Sequence, residues 1–363
     1  MRRAVYSAVS AGLLVLLLTL VGCGAQEPDE DVTNGGGEQA EQELVSIKTD
    51  VNPTLDGVGD EAVWQDAPET EIRVSGGENE SATDVRMKSV YTDTDVSFLI
   101  MWEDPTESFL RSPWEKQEDG SWMQLSDPDD EGGDNNLWYE DKMSMIWPID
   151  DSIPDFAEDG CNTMCHEGED DDIKPYGNKY TDEEGQLGDI WHLKTVRNLD
   201  QVDDQYVDST RLDPNNLEET REAGRHSDPN DGGGYKDNKS EDATLPAFML
   251  PDASMKDGSP GFILDSEKVP FDDANFQPGD RVPGIVIAQF TGDRADLDAK
   301  WEWADGVWTL ELTRSLVTDS EFDVQFDDLN ETYYFGTAIF DNAQVRHADQ
   351  SGSTPFVFQT EGE

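Results

Sequence analysis

Short segments in which side chains alternate between two faces recur along most of this sequence. Residues 84–91 and 96–102 each have this period of two, and Thr92-Asp93-Thr94 can turn the chain between them. Such a period is typical of β-strands, because successive side chains of an extended chain point to opposite sides. No long segment has the period of an amphipathic helix. The sequence therefore predicts an all-β fold, an antiparallel β-sandwich.

The same pattern locates further strands and two interruptions. We predict additional strands at residues 142–149, 284–290, 332–340 and 356–359. A hairpin is predicted around Ala304-Asp305-Gly306, which has the residue types of a tight turn. Two acidic stretches, residues 103–138 and 212–243, are predicted to be long loop insertions. Their carboxylates lack the ordered ligand spacing of an EF-hand, so we interpret the insertions as solvated loops rather than calcium sites.

The net charge of −57 restricts the functions open to the chain. It arises from 82 Asp and Glu residues against 25 Lys and Arg residues. A nucleic-acid-binding surface needs clustered basic residues, so nucleic acid is excluded as a general partner. Hydrophobic residues make up only 35% of the chain, so the aromatic residues must be buried to build a core. Because acidic residues are interleaved with predicted strands, we interpret the charge as a halophilic adaptation of a folded protein rather than as disorder.

The first 44 residues have the features of an export and anchoring region. Residues 1–22 combine Arg2 and Arg3 with an apolar run that is short for a bilayer span, as in a signal peptide. The segment Leu20-Val21-Gly22-Cys23 resembles a lipobox, which predicts lipidation of Cys23. Residues 23–44 are predicted to be a flexible acidic tether, followed by one folded domain at 45–363. We expect a lipid-anchored protein that faces the periplasm or the cell exterior.

Residues 160–166 hold the most specific chemical motif. Cys161 and Cys165 are two of the three cysteines, and His166 follows directly. Two thiols can form thioethers with the two vinyl groups of one haem, and the adjoining imidazole can bind its iron. The common attachment spacing is C-x-x-C-H, and the one additional residue here requires only a bulged loop. The alternatives are a short-loop disulfide and half of a zinc site that lacks a second Cys/His pair.

A haem iron in an electron-transfer site usually has a protein ligand on each side. The candidates for the ligand opposite His166 are Met143, Met145, His192, Lys194, His226 and His347. Met143 and Met145 share one face of their strand, where they can equally be core residues. His192 and Lys194 also share a face. A lysine there must lose its proton to bind iron, which burial promotes, and the alternative is an exposed basic face.

The order of several short motifs along the chain is similar to that in a known family. The motifs are Leu55-Asp56-Gly57 with Ala62-Val63-Trp64, the strand at 96–102 with Glu103-Asp104-Pro105-Thr106, Tyr139-Glu140-Asp141-Lys142 before residues 143–148, residues 160–166, Asp189-Ile190-Trp191-His192-Leu193-Lys194, and Phe340-Asp341-Asn342. Over most of residues 46–360, apart from the acidic insertions, this order resembles the ethylbenzene-dehydrogenase-type haem-binding domain.

The resemblance implies a β-sandwich with one haem that serves a molybdenum enzyme of the dimethyl-sulfoxide-reductase type, or a related exported cytochrome. Members without cysteines hold haem b non-covalently with methionine and lysine ligands, which would correspond here to Met143 or Met145 and to Lys194. The cysteine–histidine motif departs from that pattern and indicates a c-type branch.

We therefore predict an electron-transfer protein with one covalent haem c, or alternatively haem b. Its partner would be a molybdoenzyme or a membrane cytochrome or quinone-linked complex. No nucleophile–base arrangement is visible, so we expect no substrate turnover by this chain alone. The alternative function is a carbohydrate-binding or other surface-binding sandwich lipoprotein without haem, in which exposed tryptophans would stack on sugar rings.

Overall fold

The structure, a computed structural model, describes residues 43–79, 81–130, 134–166, 178–251 and 256–360. The chain divides into two units, residues 1–39 and 40–363, and all described residues belong to the second. The predicted signal peptide at 1–22, Cys23 and nearly all of the predicted tether lie outside the described residues.

Strands account for most of the regular structure in the described ranges. They are β1 (Leu44–Lys48), β2 (Thr70–Ser75), β3 (Ala82–Tyr91), β4 (Asp95–Glu103), β5 (Trp114–Lys116), β6 (Trp122–Gln124), β7 (Lys142–Pro148), β8 (Cys165–His166), β9 (Asn178–Lys179), β10 (Gly188–Lys194), β11 (Asp203–Val207), β12 (Arg225–Ser227), β13 (Gly232–Asp237), β14 (Phe248–Met249), β15 (Ile263–Leu264), β16 (Val269–Pro270), β17 (Arg281–Val282), β18 (Ile285–Thr291), β19 (Asp298–Ala304), β20 (Val307–Ser315), β21 (Tyr333–Phe340), β22 (Ala348–Gln350) and β23 (Thr354–Gln359). The helical elements are α1 (Phe156–Asp159), α2 (Leu217–Thr220) and the 3-10 turns Ala62–Trp64, Cys161–Thr163, Asp273–Asn275 and Asp293–Ala295. Within the described part of the chain, no helix combines the length and the apolar character needed to cross a membrane.

The main sheet folds into two layers, which confirms the predicted antiparallel sandwich. One layer has the strand order β12-β11-β10-β7-β21, and the other has the order β19-β20-β4-β3. Two bridges join β21 to β3, one through β22 and β2 and the other through β23 and β1. The pairings of β1 with β3 and with β23 are parallel, which alternation along single strands does not predict.

Aromatic side chains fill the space between the two layers. Phe98 of β4 lies 6.1 Å from Trp147 of β7 and 5.5 Å from Trp191 of β10, measured between ring centroids. Met143 and Met145 belong to the same buried cluster. Burying a large apolar side chain contributes about 1.5–3 kcal/mol, so this aromatic core stabilises a chain whose overall hydrophobic content is low.

The predicted strands and the predicted hairpin are present with small shifts at their ends. Strands β19 and β20 pair through Ala304 and Val307, with Asp305 and Gly306 between them. Asp305 has φ 53° and Gly306 has φ 86°, as a two-residue turn with both residues in the left-handed region requires.

The two acidic insertions contain more structure than loops. The first holds β5 and β6, which form a three-stranded sheet in the order β17-β5-β6, and the second holds α2, β12 and β13. A second buried cluster lies beneath β5, β6 and β17. It contains Trp114, Trp122, Phe276 and neighbouring apolar residues. The prediction of loops missed β5, β6 and β12 because strands of three residues are too short to show alternation. It missed β13 because three of its six residues are glycines, which have no side chains to alternate.

Candidate functional site

Alternation along β7 and β10 gives each strand one face toward the sandwich core and one face away from it. Register pairs Lys142 with Lys194 and Ser144 with His192, so these four residues share the outer face. Gly336 and Ala338 of β21 pair with Ile146 and Ser144 and extend this face. All seven residues of β10 are buried, because other segments of the chain cover the outer face as well.

A cavity of about 460 Å³ lies between this outer face and the segments that cover it. Its lining includes residues of the three strands (Lys142, Ser144, Ile146, Ile190, His192, Lys194, Gly336, Thr337, Ala338 and Phe340) and of the covering segments (Arg111, Tyr139, Cys161, Lys179, Arg197, Arg221, Glu222, Arg225, Tyr235, Gln344, Val345 and His347). This volume lies within the range of about 300–1,000 Å³ that is typical of sites for small molecules and cofactors.

The cavity is strongly basic although the protein is strongly acidic. The cationic side chains in its lining are Arg111, Lys142, Lys179, Lys194, Arg197, Arg221 and Arg225, whereas Glu222 is the single carboxylate. These seven cations come from only 25 in the whole chain. Since cations gathered in a partly enclosed site repel one another, the arrangement favours an anionic ligand.

Some of these cations are neutralised by carboxylates that are not part of the lining, and others are not. Lys194 forms a buried ion pair with Asp203, and Arg197 Nε donates to Glu140 Oε1 at 2.6 Å. Lys142 makes no ion pair among the described residues, and its Nζ donates to the backbone oxygen of Gln344 at 2.8 Å. Burial lowers the pKa of Lys142 well below its ordinary range, and it lowers that of Lys194 to about 8.

Two histidines in the lining present ring nitrogens that can accept a bond. His192 Nδ1 lies 3.3 Å from Gln205 Oε1, while its buried Nε2 has no hydrogen-bond partner in the described part of the chain. His347 Nδ1 lies 2.8 Å from the backbone oxygen of Val345 and is the natural donor in that contact. The Phe340 ring packs against both imidazoles, with centroids 5.6 Å and 4.6 Å away. Burial lowers the pKa of both histidines, which favours the neutral form that binds metals.

Cys161 lines the cavity, Cys165 lies within hydrogen-bond reach of it, and both are free thiols. The hydrogen bond between them raises the pKa of Cys161 and lowers that of Cys165. Lys179, which pairs with Cys165 across β8 and β9, donates from Nζ to Cys165 Sγ at 3.2 Å. A negative charge on Cys165 is thereby stabilised, and thiolates are the reactive form of cysteine.

Glycines bring the Cys161 segment against the sheet. A Cβ on Gly336 would lie 3.3 Å from Cys161 Cβ, so a larger residue in β21 would push the cysteine away. Gly160 has φ 58°, and a Cβ there would collide with the backbone oxygen of Gly352. The position of Cys161 therefore depends on two residues without side chains.

The structure brings some of the predicted ligands together and separates others. Cys161, His192 and Lys194 line the cavity, as does His347. Met143 and Met145 lie in the sandwich core on the opposite face of β7. His226 lies 3.1 Å from Asp208 and stacks on Tyr206 outside the cavity lining. His166 ends β8, and its side chain lies outside the described residues.

Comparison with known proteins assigns the chain to a family. The family described as ethylbenzene dehydrogenase matches residues 61–352. The chain belongs to the ethylbenzene dehydrogenase family. The match includes both cysteines, both cavity histidines and Lys194. No curated protein matches the sequence.

Solved structures with distant similarity were also found. They include a family 9 carbohydrate-binding module from Caldicellulosiruptor kristjanssonii in complex with cellotriose, with TM-score 0.32 and 7% identity over 88% of this chain and 95% of the module. The same module in complex with glucose gives TM-score 0.32 and 7% identity over 88% of this chain and 98% of the module.

Sequence reasoning missed the basic lining of the cavity. Arg111, Lys179, Arg197 and Arg225 come from separate segments, and no motif links them. The sequence feature that could have indicated this lining is the small number of basic residues, 25 Lys and Arg against 82 Asp and Glu. Each basic residue in so acidic a chain is a candidate for a structural or binding role. Which of them meet was decided by the tertiary structure.

Proposed function

We propose that this member of the ethylbenzene dehydrogenase family binds one haem in the basic cavity and transfers electrons outside the cytoplasm. The observation that carries the proposal is that one cavity is lined by the free thiol of Cys161, by a buried imidazole nitrogen that has no partner among the described residues, and by an excess of cations, with the second free thiol beside Cys161. Bound haem would supply a one-electron couple between ferrous and ferric iron.

The residues present fit a covalently attached haem. Cys161 lines the cavity and Cys165 lies beside it, so their thiols would form the two thioethers of haem c. Lys179 favours the thiolate of Cys165 and would promote its reaction. If attachment did not occur, the same cavity would hold haem b through its remaining contacts.

The basic lining fits the two propionate groups of a haem. Lys142 has no carboxylate partner among the described residues, and Arg111 lies 3.6 Å from a partly exposed Asp237. These two cations are the best candidates to bind a carboxylate, because charge-assisted hydrogen bonds are about twice as strong as neutral ones. Burying propionates there would also relieve the repulsion among the seven cations.

For the iron ligands we propose His166, next to the second thioether, and His192 on the cavity wall. His192 Nε2 is buried without a partner, while Gln205 holds the other ring nitrogen in place. His347 is the next candidate on the same wall. Lys194 remains the lysine that the family resemblance implies, although Asp203 must release it before its nitrogen can bind iron. Met143 and Met145 would have to leave the core.

The remaining features of the proposal come from the sequence and the family. The predicted signal peptide with Cys23 supports export and lipid anchoring, and the family supports a molybdoenzyme as electron partner. A membrane cytochrome or quinone-linked complex is the alternative partner that we propose. We propose a carrier rather than an enzyme. Carbohydrate binding is less well supported, because all ten tryptophans lie in the described ranges and none is exposed.

The direct test is expression of the full chain with its signal in a host that attaches haem covalently. We expect one haem per chain by pyridine haemochrome spectroscopy, and a polypeptide mass increased by one haem after denaturation. The double substitution Cys161→Ser and Cys165→Ser should abolish the covalent mass. The matched control is Asn162→Ser, an exposed substitution between the two cysteines that should leave attachment intact.

Ligand variants separate the candidates. His192→Ala should change the low-temperature electron paramagnetic resonance signal, whereas Met145→Ala should leave that signal unchanged while it lowers stability, because Met145 is a core residue. Purified, exported wild-type protein that is colourless and carries no haem, bound or attached, would refute the proposal.

A further inference from the structure

Four aspartates meet in the interior on the face of β10 and β11 opposite the cavity. Asp189 lies in β10 and Asp204 lies in β11, where it pairs with Trp191 and so shares the face of Asp189. Asp228 follows β12, and Asp323 lies in the connection between β20 and β21. Asp189 and Asp204 are 0% exposed, and Asp228 and Asp323 are 1% exposed.

The carboxylate oxygens fall into two sets. One oxygen each of Asp189, Asp323 and Asp228 accepts hydrogen bonds. Trp191 Nε1 and the backbone nitrogen of Val324 donate to Asp189 Oδ2 at 3.0 Å each, Thr318 Oγ1 donates to Asp323 Oδ2 at 2.7 Å, and Ser320 Oγ donates to Asp228 Oδ2 at 3.5 Å. The other oxygens, Oδ1 of Asp189, Asp228 and Asp323 and both oxygens of Asp204, are buried without a partner.

The Asp204 carboxylate therefore has no hydrogen-bond donor among the residues that the structure describes, although it is completely buried. Within the described ranges, Arg314 is the cation that forms ion pairs with the group, and its Nη atoms lie 3.3 Å from Asp189 Oδ2 and 3.6 Å from Asp323 Oδ2. Four buried carboxylates with one guanidinium leave a large uncompensated negative charge, which a folded protein does not tolerate without protonation or a bound cation.

The spacing of the oxygens is that of ligands around one ion. One oxygen from each of Asp189, Asp204 and Asp323 lies within 4.8 Å of the other two, and Asp228 lies within hydrogen-bond distance of Asp323. Two oxygens on opposite sides of a calcium ion, each at about 2.4 Å, are separated by about this distance. The candidate ligand atoms are all carboxylate oxygens. Such ligands favour hard divalent cations over softer metals.

We propose that Asp189, Asp204, Asp228 and Asp323 bind one hard divalent cation, with Ca²⁺ as the best match to an all-carboxylate site. The ion would connect β10 and β11 of one layer to the chain that leaves β20 of the other. It would therefore act as a cross-link between the layers, directly behind the strand that carries His192. This inference does not depend on haem binding.

Isothermal titration of the full, metal-stripped chain with Ca²⁺ tests the site, in about 1 M NaCl to suppress weak binding by surface carboxylates. We expect one saturable site per chain and a higher unfolding temperature with Ca²⁺ than with a chelator. Asp204→Asn should weaken Ca²⁺ binding by about tenfold or more, because it removes a charged ligand. The control Asp319→Asn removes an exposed carboxylate from the same connection and should leave binding unchanged.

A second measurement uses the wild-type chain, so that the test does not require the Asp204→Asn variant to fold. Tb³⁺ occupies calcium sites and emits when a nearby indole is excited, and Trp191 donates directly to Asp189. We expect sensitised emission that Ca²⁺ displaces with the affinity found by titration. The absence of a saturable site at about 1 mM Ca²⁺, or equal binding by a folded Asp204→Asn variant, would overturn the assignment.

Discussion

Arg197 shows how one residue sets the chemistry of the cavity wall. Its guanidinium donates to Glu140 at 2.6 Å and to the hydroxyl of Tyr235 at 3.2 Å. A cation beside a phenol favours the phenolate. The positive charge of Arg197, with a further contribution from Lys194, therefore lowers the pKa of Tyr235 from 10.0 to about 8.

We predict that Tyr235 titrates about two pH units below an ordinary tyrosine in protein prepared without haem. The folded state has the lower pKa, so ionisation adds nothing to stability below pH 8 and adds increasingly as the pH rises from about 8 to 10. Tyrosinate absorbance should show a step with the amplitude of one tyrosine near pH 8. Tyr235→Phe should remove it, whereas Tyr333→Phe should not, because burial raises the pKa of Tyr333 to about 12.

At the residue scale, the sequence pattern correctly predicted which side chains share one face of a strand. It did not predict which residues from different segments come into contact. The shared face of His192 and Lys194 and the shared face of Met143 and Met145 were predicted correctly, because alternation is a local property of an extended chain. Which of the two faces borders the cavity depends on the layer that covers β10, and the sequence of β10 does not specify that layer.

At the scale of elements, a buried carboxylate explains the Leu55-Asp56-Gly57 opening. Glu311 of β20 accepts from the backbone nitrogens of Asp56 and Gly57 at 3.1 Å and 2.9 Å. Its other oxygen accepts from Trp64 Nε1 at 2.9 Å. The opening segment is thus held onto β20 across about 250 residues of sequence, and its motif has a structural role.

We predict that Trp64→Phe lowers the free energy of unfolding by about 1–3 kcal/mol, because it leaves a buried carboxylate oxygen without its donor. Chemical denaturation measures the loss. Combination with Glu311→Gln in a double-mutant cycle separates the hydrogen bond from the packing change, and we expect a coupling of about 1 kcal/mol or more. A coupling near zero would mean that packing alone accounts for the effect.

At the scale of the whole molecule, the negative and positive charges lie in different places. The surface carries most of the 82 acidic residues, while a cavity lining gathers seven of the 25 basic ones. Repulsion among surface carboxylates opposes the compact state, and salt screens it because the Debye length falls from about 10 Å at 0.1 M to about 3 Å at 1 M. Buried ion pairs such as Lys194–Asp203 are screened much less.

We predict that the unfolding temperature rises when NaCl increases from about 0.1 M to about 2 M. The rise should be several degrees or more, since each 1 kcal/mol of stabilisation corresponds to about 2–4 °C for a domain of this size. Differential scanning calorimetry measures it. Sucrose at equal osmolality serves as the control, and an equal rise in sucrose would show that screening of charge is not the cause.

The sequence by itself determined the all-β class, the positions of several strands such as β3, β4, β7 and β21, the turn at Asp305 and Gly306 and the proximity of Cys161 to Cys165. These features follow from alternation and short spacings. Only the tertiary structure decided that His192, Lys194 and Cys161 share one cavity with six further cations, that Met143 and Met145 face the core, and that Asp189, Asp204, Asp228 and Asp323 converge. The physical reason is that strand order, register and covering segments are set by contacts between distant parts of the chain, which no local pattern encodes.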